Sequence, residues 1–345
     1  MSDAAAEAQD SGPIEPVGER PVRVGVVGLG YWGPNIARNL AAIEGCELRW
    51  LCDGDEATRA KIAGAFPSAR VTGELHELLE DPELDAVALA TPVPTHAELA
   101  IAVARAGKHC FVEKPLATNV ADAEAAVVAA AAARRVLMVG HLLEYHPAVA
   151  RLKQLIEQDE LGRLFYVYGN RLNLGKLRAD ENALWSLGAH DVSVVLHLVG
   201  EEPAECTAYG ASYVRGGIED VVFCYLRFPS GILAHLHLSW LDPHKERQIT
   251  VVGAKRMATF DDMLVEGKLS VYDKGFDEDT HTWGEYITRS GDIFQPRIPN
   301  SEPLRLECEH FVESVRSGRA PRSDGASGLR VVRVLERLQR SLEQG

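Results

Sequence analysis

Short apolar runs alternate with longer amphipathic stretches from about residue 22 to residue 142. The runs Val22–Val27, Glu47–Cys52, Ala86–Ala90, His109–Val112 and Val136–Val139 predict strands. Between them Asn35–Ala42, Leu75–Leu79, His96–Ala106 and Ala121–Ala133 carry helical spacing or high helix propensity, and Gly107 closes the third of these. Strand alternating with helix implies a parallel sheet covered on both faces, whose ligand binds beyond the carboxyl ends of the strands. After His146-Pro147 the pattern changes. One helix (Ala148–Gln158) leads into aromatic and β-branched strands at Leu164–Leu172, Cys206–Val214, Val221–Phe228, Ile232–Trp240, Gln248–Val252 and Lys268–Tyr272. Pro229-Ser230-Gly231 joins two of them as a hairpin, and Ala189–Leu198 predicts a helix on one side of the sheet. Asp273–Pro303 is polar and aperiodic and predicts a long surface excursion; the closing helices, Leu304–Ser317 and Gly328–Leu342, are expected to pack back on the first domain. The fold class is therefore α/β: an N-terminal doubly wound Rossmann sheet followed by an α+β domain with an open, mostly antiparallel sheet. The boundaries fall at a disordered tail over 1–20, a nucleotide domain over 21–145 and a substrate and oligomerisation domain over 146–345.

Composition narrows the partners. At 345 residues the chain exceeds one ordinary core, and 46% hydrophobic with 25% charged residues is typical of a globular protein. A net charge of −14 argues against nucleic acid and anionic membranes, which reward positive patches. Six scattered cysteines (46, 52, 110, 206, 224, 308) show no metal spacing, so a reduced, cytoplasmic protein is expected, with no metal site. No apolar run is long enough to span a bilayer, and the acidic first 20 residues lack the pattern of a signal peptide.

The most specific local feature is Gly28-Leu29-Gly30-Tyr31-Trp32-Gly33, placed after the first strand and before the first helix. Gly28 permits a tight turn, Gly30 lets a pyrophosphate approach the backbone, and Gly33 lets helix and strand pack closely. The helix opening there directs free N–H groups at the phosphates. Asp53 lies 20 residues after Gly33, where an acidic side chain holds the ribose hydroxyls and repels a 2′-phosphate. NAD is thus expected ahead of NADP, although Arg59 stands near enough to swing in. Tyr31 and Trp32 in the turn, Thr91-Pro92, His96 at the next helix start, and Glu113-Lys114-Pro115 all belong with the cofactor end of the sheet.

Lys114 is the first candidate for chemistry. Charged, it can donate to a reacting oxygen; neutral, it can take the proton from a hydroxyl that is losing hydride, which requires its pKa to fall from ~10.4 toward ~7–8. His190, in Trp185-Ser186-Leu187-Gly188-Ala189-His190-Asp191, is the second candidate proton carrier, or else a helix-start histidine pairing with Asp191. His197, seven residues on among leucines, reads as core. His235 and His237 share one strand face, with no third ligand for zinc. His141 abuts the fifth strand and is the candidate there to touch substrate; Arg171 and Asn173 alternate on a strand and suit sugar hydroxyls or a phosphate.

In this order, Gly28–Gly33, Thr91-Pro92, Glu113-Lys114-Pro115 and Gly188-Ala189-His190-Asp191 resemble the Gfo/Idh/MocA oxidoreductases over about residues 20–343. The resemblance implies NAD(P)-linked hydride exchange at a sugar or cyclitol carbon and homodimers or homotetramers. It makes Lys114 and His190 the active-site lysine and histidine. The family often carries an aspartate four residues before that histidine, where this chain has Ser186, so Lys114 and His190 take more of the proton traffic. Arg171-Leu172-Asn173 with Glu181–Asp191 resembles the branch found with nucleotide-sugar biosynthesis, which implies oxidation at C3 of a UDP-N-acetylamino sugar. A cyclitol or free-sugar dehydrogenase, a ketosugar reductase and a non-catalytic dinucleotide sensor are the alternatives.

Overall fold

The computed structural model describes residues 12–344, apart from 176, 179–180 and 283–284. The chain divides into two compact units, the first built from residues 1–142 and Glu302–Arg333, the second from Leu143–Ser301 and Val334–Gly345.

The first unit holds a parallel sheet of β1 (Val22–Val27), β2 (Cys46–Cys52), β3 (Arg70–Thr72), β4 (Ala86–Leu89), β5 (His109–Glu113) and β6 (Leu137–Gly140). Its order is β3-β2-β1-β4-β5-β6, the doubly wound arrangement with a switch point between β1 and β4. Burial in β1 and β4 is nearly continuous, as parallel strands covered on both faces require. Helices α1 (Gly33–Ala42), α2 (Glu56–Ala63), α3 (Leu75–Glu80), α4 (His96–Arg105) and α5 (Val120–Ala132) make the crossovers. Asp55 caps α2 by accepting from the Thr58 N–H, and Asn119 caps α5 by accepting from the Asp122 N–H. Helix α8 (Pro303–Ser317) also belongs to this unit and seats Phe311 edge-on against Phe111, centroids 5.7 Å apart.

The disordered tail expected over 1–20 needs correction within the described residues. The Glu15 N–H donates to the Arg134 carbonyl at 3.0 Å, and the Glu15 carboxylate accepts from Arg135 Nη1 at 2.7 Å. Val17 and Gly18 donate to the carbonyls of Val315 and Arg316. Composition hid this strap because its partners lie far along the chain.

The second unit carries α6 (Pro147–Glu157), β7 (Leu164–Leu174), α7 (Ala189–Val199), β8 (Glu205–Ala211), β9 (Val221–Arg227), β10 (Leu233–Ser239), β11 (Leu241–Gly253), β12 (Met257–Asp261), β13 (Leu269–Thr282) and β14 (Glu285–Phe294). The sheet runs β14-β13-β12-β11-β7-β10-β9-β8, and its neighbours are antiparallel except β7 with β10. Helices α6 and α7 pack on one face. On the other face aromatic side chains stand outward: Tyr168 stacks on His235 at 5.4 Å and Phe223 on His237 at 4.4 Å, while Tyr225 is 51% exposed. The irregular excursion expected over Asp273–Pro303 is instead, as far as Phe294, the edge hairpin β13–β14. Phe276, Ile293 and Phe294 of this segment stand exposed, so no buried apolar period marks it and ladder hydrogen bonds define it. Helix α9 (Gly325–Gln344) starts in the first unit and ends in the second.

Candidate active site

The glycine turn is built around three different constraints. Gly28 takes φ +86°, and a Cβ there would meet the Ala90 carbonyl at 2.7 Å. A Cβ on Gly33 would lie 2.0 Å from the Gly28 oxygen, so only glycine lets α1 start this close to β1. At Gly30 a Cβ would meet nothing within 4 Å: the turn is open on the side a pyrophosphate would approach. Asp53 follows β2 and accepts from the Leu29 N–H at 2.7 Å and from the Asp55 N–H at 2.9 Å, which aims its carboxylate back at the turn. Arg59 donates Nη1 to the carbonyls of Asp53 and Gly54 at 2.7 and 3.0 Å. Tyr31 projects from the turn, 83% exposed, with Trp32 edge-on to it. These residues fit a dinucleotide: a cradle closed to side chains at Gly33, open at Gly30, and carrying one carboxylate.

Thr91 and Pro92 follow β4, where Thr95 Oγ1 donates to Thr91 Oγ1 at 2.8 Å. His96 does not point outward as a cofactor ligand. It is 1% exposed, and its Nδ1 and Nε2 lie 2.8 Å from the Pro115 and Thr91 carbonyls. The ring braces the loops after β4 and β5, and burial depresses its pKa. The sequence missed this role because the two carbonyls meet only after the sheet forms.

Glu113 ends β5, and the Lys114–Pro115 peptide is cis. Glu113 Oε2 accepts from the Lys114 N–H at 3.3 Å. Burial pushes the Glu113 carboxyl up to about 7, against the downward pull of the Lys114 ammonium. Gly140 lies opposite Glu113 across β5 and β6, and a Cβ on it would approach the Glu113 carboxyl carbon to 3.3 Å. His141 comes next, 1% exposed, and neither ring nitrogen has a hydrogen-bond partner. Burial first, then Lys114, drives its pKa down to about 3, so the ring is neutral at pH 7. A neutral buried imidazole with both nitrogens unsatisfied is suited to a ligand offering a donor and an acceptor.

In the second unit, a π-helical turn (Leu184–Gly188) precedes α7 and carries the buried Ser186. His190 lies in the first turn of α7, and Ser193 Oγ donates to its carbonyl at 2.8 Å. Asp191, weighed from sequence as a partner of His190, is engaged from β7. Asp191, 1% exposed, receives both Nε and Nη2 of Arg171, the latter at 3.1 Å. The expected Arg171–Asn173 ligand pair therefore separates: Arg171 is engaged inside the unit, whereas Asn173 keeps a buried Oδ1 with no hydrogen-bond partner. His197 is not simply core, since its Nδ1 lies 3.8 Å from the buried Glu144 carboxylate. Arg178 pairs with Glu181 at 2.9 Å. Among the described residues no group of three or more His, Cys, Asp or Glu could hold a metal, all six cysteines are free, and no helix is long and apolar enough to cross a membrane.

Comparison with known proteins gives the chain its relatives. Residues 22–141 match the profile described as "Oxidoreductase family, NAD-binding Rossmann fold", and residues 149–259 match the GFO/IDH/MocA C-terminal domain. The chain is 27% identical over 334 residues to myo-inositol 2-dehydrogenase of Thermotoga maritima, covering 94% of this chain and 97% of the relative. It is 28% identical over 322 residues to UDP-N-acetylglucosamine 3-dehydrogenase of Acidithiobacillus ferrooxidans, covering 90% and 94%. A solved structure of that dehydrogenase superposes with a TM-score of 0.79 at 26% identity, over 94% of this chain and 99% of the other. GenD2 of gentamicin A biosynthesis, solved in complex with NAD, gives 0.78 at 27% identity, over 96% and 98%.

Proposed function

The chain belongs to the Gfo/Idh/MocA family of NAD-binding oxidoreductases, and on that premise we propose that it oxidises a secondary hydroxyl of a sugar or cyclitol. One observation carries this reading: Lys114 stands at the carboxyl end of β5 beside a neutral, unpartnered His141, in the same unit as the glycine turn and Asp53. Bound NAD supplies the hydride acceptor. Gly28, Gly30 and Gly33 would admit its pyrophosphate, Asp53 would accept from the ribose hydroxyls, and the loops at Thr91-Pro92 and Glu113-Lys114 would hold the nicotinamide end. Neutral Lys114 takes the substrate hydroxyl proton as the carbon loses hydride; the alcohol becomes a ketone and Lys114 an ammonium. His190 is the second proton carrier, positioning that hydroxyl or relaying the charge, and Ser186 leaves it without the aspartate its relatives often use. His141 and Asn173 offer hydrogen bonds to sugar hydroxyls.

For the finer substrate, the branch resemblance at Arg171–Asn173 and Glu181–Asp191 favours a UDP-N-acetylamino sugar oxidised at C3. A second reading, an uncharged cyclitol, is favoured by the buried engagement of Arg171 with Asp191, which holds that cation away from a diphosphate. Purified protein and NAD mixed separately with UDP-N-acetylglucosamine, its uronic acid and myo-inositol, followed by NADH absorbance, decides between them. No NADH from any sugar or cyclitol, despite tight NAD binding, returns the protein to the dinucleotide sensors. The six free thiols suit a reducing cytoplasm, and the outward aromatic face of the second unit suits a homodimer or homotetramer.

A further inference from the structure

We propose that Arg171 is a positioning residue that holds His190 in place through Asp191, and is not a substrate ligand. The proposal rests on the reading of His190 as a proton carrier. Three constraints converge on the start of α7. The first is the fork itself: a guanidinium giving two N–H groups to one carboxylate fixes both planes, and here both partners are buried, Arg171 at 9% and Asp191 at 1% exposure. The second is the platform. Arg171 sits on β7, inside the sheet, opposite Leu238 of β10 and Arg247 of β11, so the fork ties the helix start to a strand held on both edges. The third is close packing: a Cβ on Gly188 would meet Leu238 Cδ1 at 2.8 Å, so the residue before α7 lies directly on β10.

A device of this kind is needed because α7 does not continue an ordinary helix. The turn before it is π-helical, and its wider winding leaves the direction of the next turn to tertiary contacts. His190 and Asp191 share a peptide bond, and the His190 carbonyl is held by Ser193 Oγ. With Asp191 clamped to β7, the backbone of His190 has little freedom. A phosphate recruiting Arg171 would have to open the fork and leave the Asp191 carboxylate buried without its cation.

The test compares full-length wild type with Arg171→Gln, Arg171→Lys, Asp191→Asn, the Arg171→Gln/Asp191→Asn double variant and His190→Gln. Each is assayed with NAD and whichever of UDP-N-acetylglucosamine, its uronic acid or myo-inositol the wild type oxidises. Arg171→Gln and Asp191→Asn should each lower kcat by ~10–100-fold while both KM values stay within about twofold. Lysine cannot form the fork, so Arg171→Lys should not rescue, and the double variant should lose no more than either single one. That variant also buries no unpaired charge, which keeps a folded sample available if Arg171→Gln alone fails to fold. Independently of turnover, the ring signals of His190 in histidine-labelled protein, assigned by their loss in His190→Gln, should shift or broaden in the double variant. A tenfold rise in substrate KM in Arg171→Gln with kcat retained, unmatched by Asp191→Asn, overturns the proposal in favour of a ligand role. Unchanged kcat and unchanged His190 signals in folded Asp191→Asn and the double variant overturn it as well. Wild-type kcat in His190→Gln would instead remove the reading of His190 on which the proposal stands.

Discussion

Glu113 and Lys114 are adjacent in sequence and tied in ionisation. With its carboxyl pushed up to about 7, Glu113 becomes an anion only near neutrality, and that anion favours the ammonium form of Lys114. Glu113→Gln removes this support, so the pKa of Lys114 should fall. The acid limb of kcat/KM is then expected to move to lower pH by about one unit, measured from pH 5 to 10. Lys114→Ala should lower turnover by ~10²–10⁴ while NAD affinity, read by protein fluorescence, changes little. His141 makes a separate statement about stability. Its folded pKa of about 3 lies below the ordinary histidine value, so the unfolded chain binds the extra proton first. Stability is therefore complete above pH ~6.5 and falls as pH drops toward 3, by about 2 kcal/mol at pH 5. His141→Phe should narrow the gap between Tm at pH 7 and at pH 5; an unchanged gap would clear His141 of that role. The position of Lys114 was legible because a strand end carries its own address. The engagements of His96 and Arg171 were not, because their partners arrive from other elements.

Among elements, the first β–turn–α unit shows what sequence can fix. Gly28 and Gly33 answer to distinct steric demands while Gly30 leaves the turn open, so the spacing, read between a strand and a helix, announces the geometry. Gly33→Ala places a methyl group 2.0 Å from the Gly28 oxygen and must push α1 from β1. It should weaken NAD binding at least tenfold in calorimetry and lower stability by about 1–3 kcal/mol. Strand β3 was missed because three residues are too few for a period to emerge, and β12 because its buried face is only Ala258 and Phe260. The hairpin β13–β14 was misread for a related reason: pairing, rather than burial, makes it a strand pair. Helix α2 was missed whole because it buries only Ile62, and the other helices erred at their ends; α9 begins three residues before the expected Gly328.

At the level of the whole molecule, Tyr168, Phe223, Tyr225 and His235 form an outward face on a sheet whose inner residues alternate with them. Tyr225→Asp should shift light-scattering mass toward the monomer with little change in Tm, since the side chain contributes little to its own unit's interior. The division into two units was readable from the change in texture after His146-Pro147, but their composition in segments was not. The first unit leaves off at residue 142 and is completed only by Glu302–Arg333. That threading has a consequence for how the protein is made. A ribosome will have emitted the whole of residues 143–301 before the segment that delivers Phe311 to Phe111 exists. Until then the nascent nucleotide-binding sheet waits with part of its apolar surface uncovered, and chaperone dependence should track that interval of synthesis.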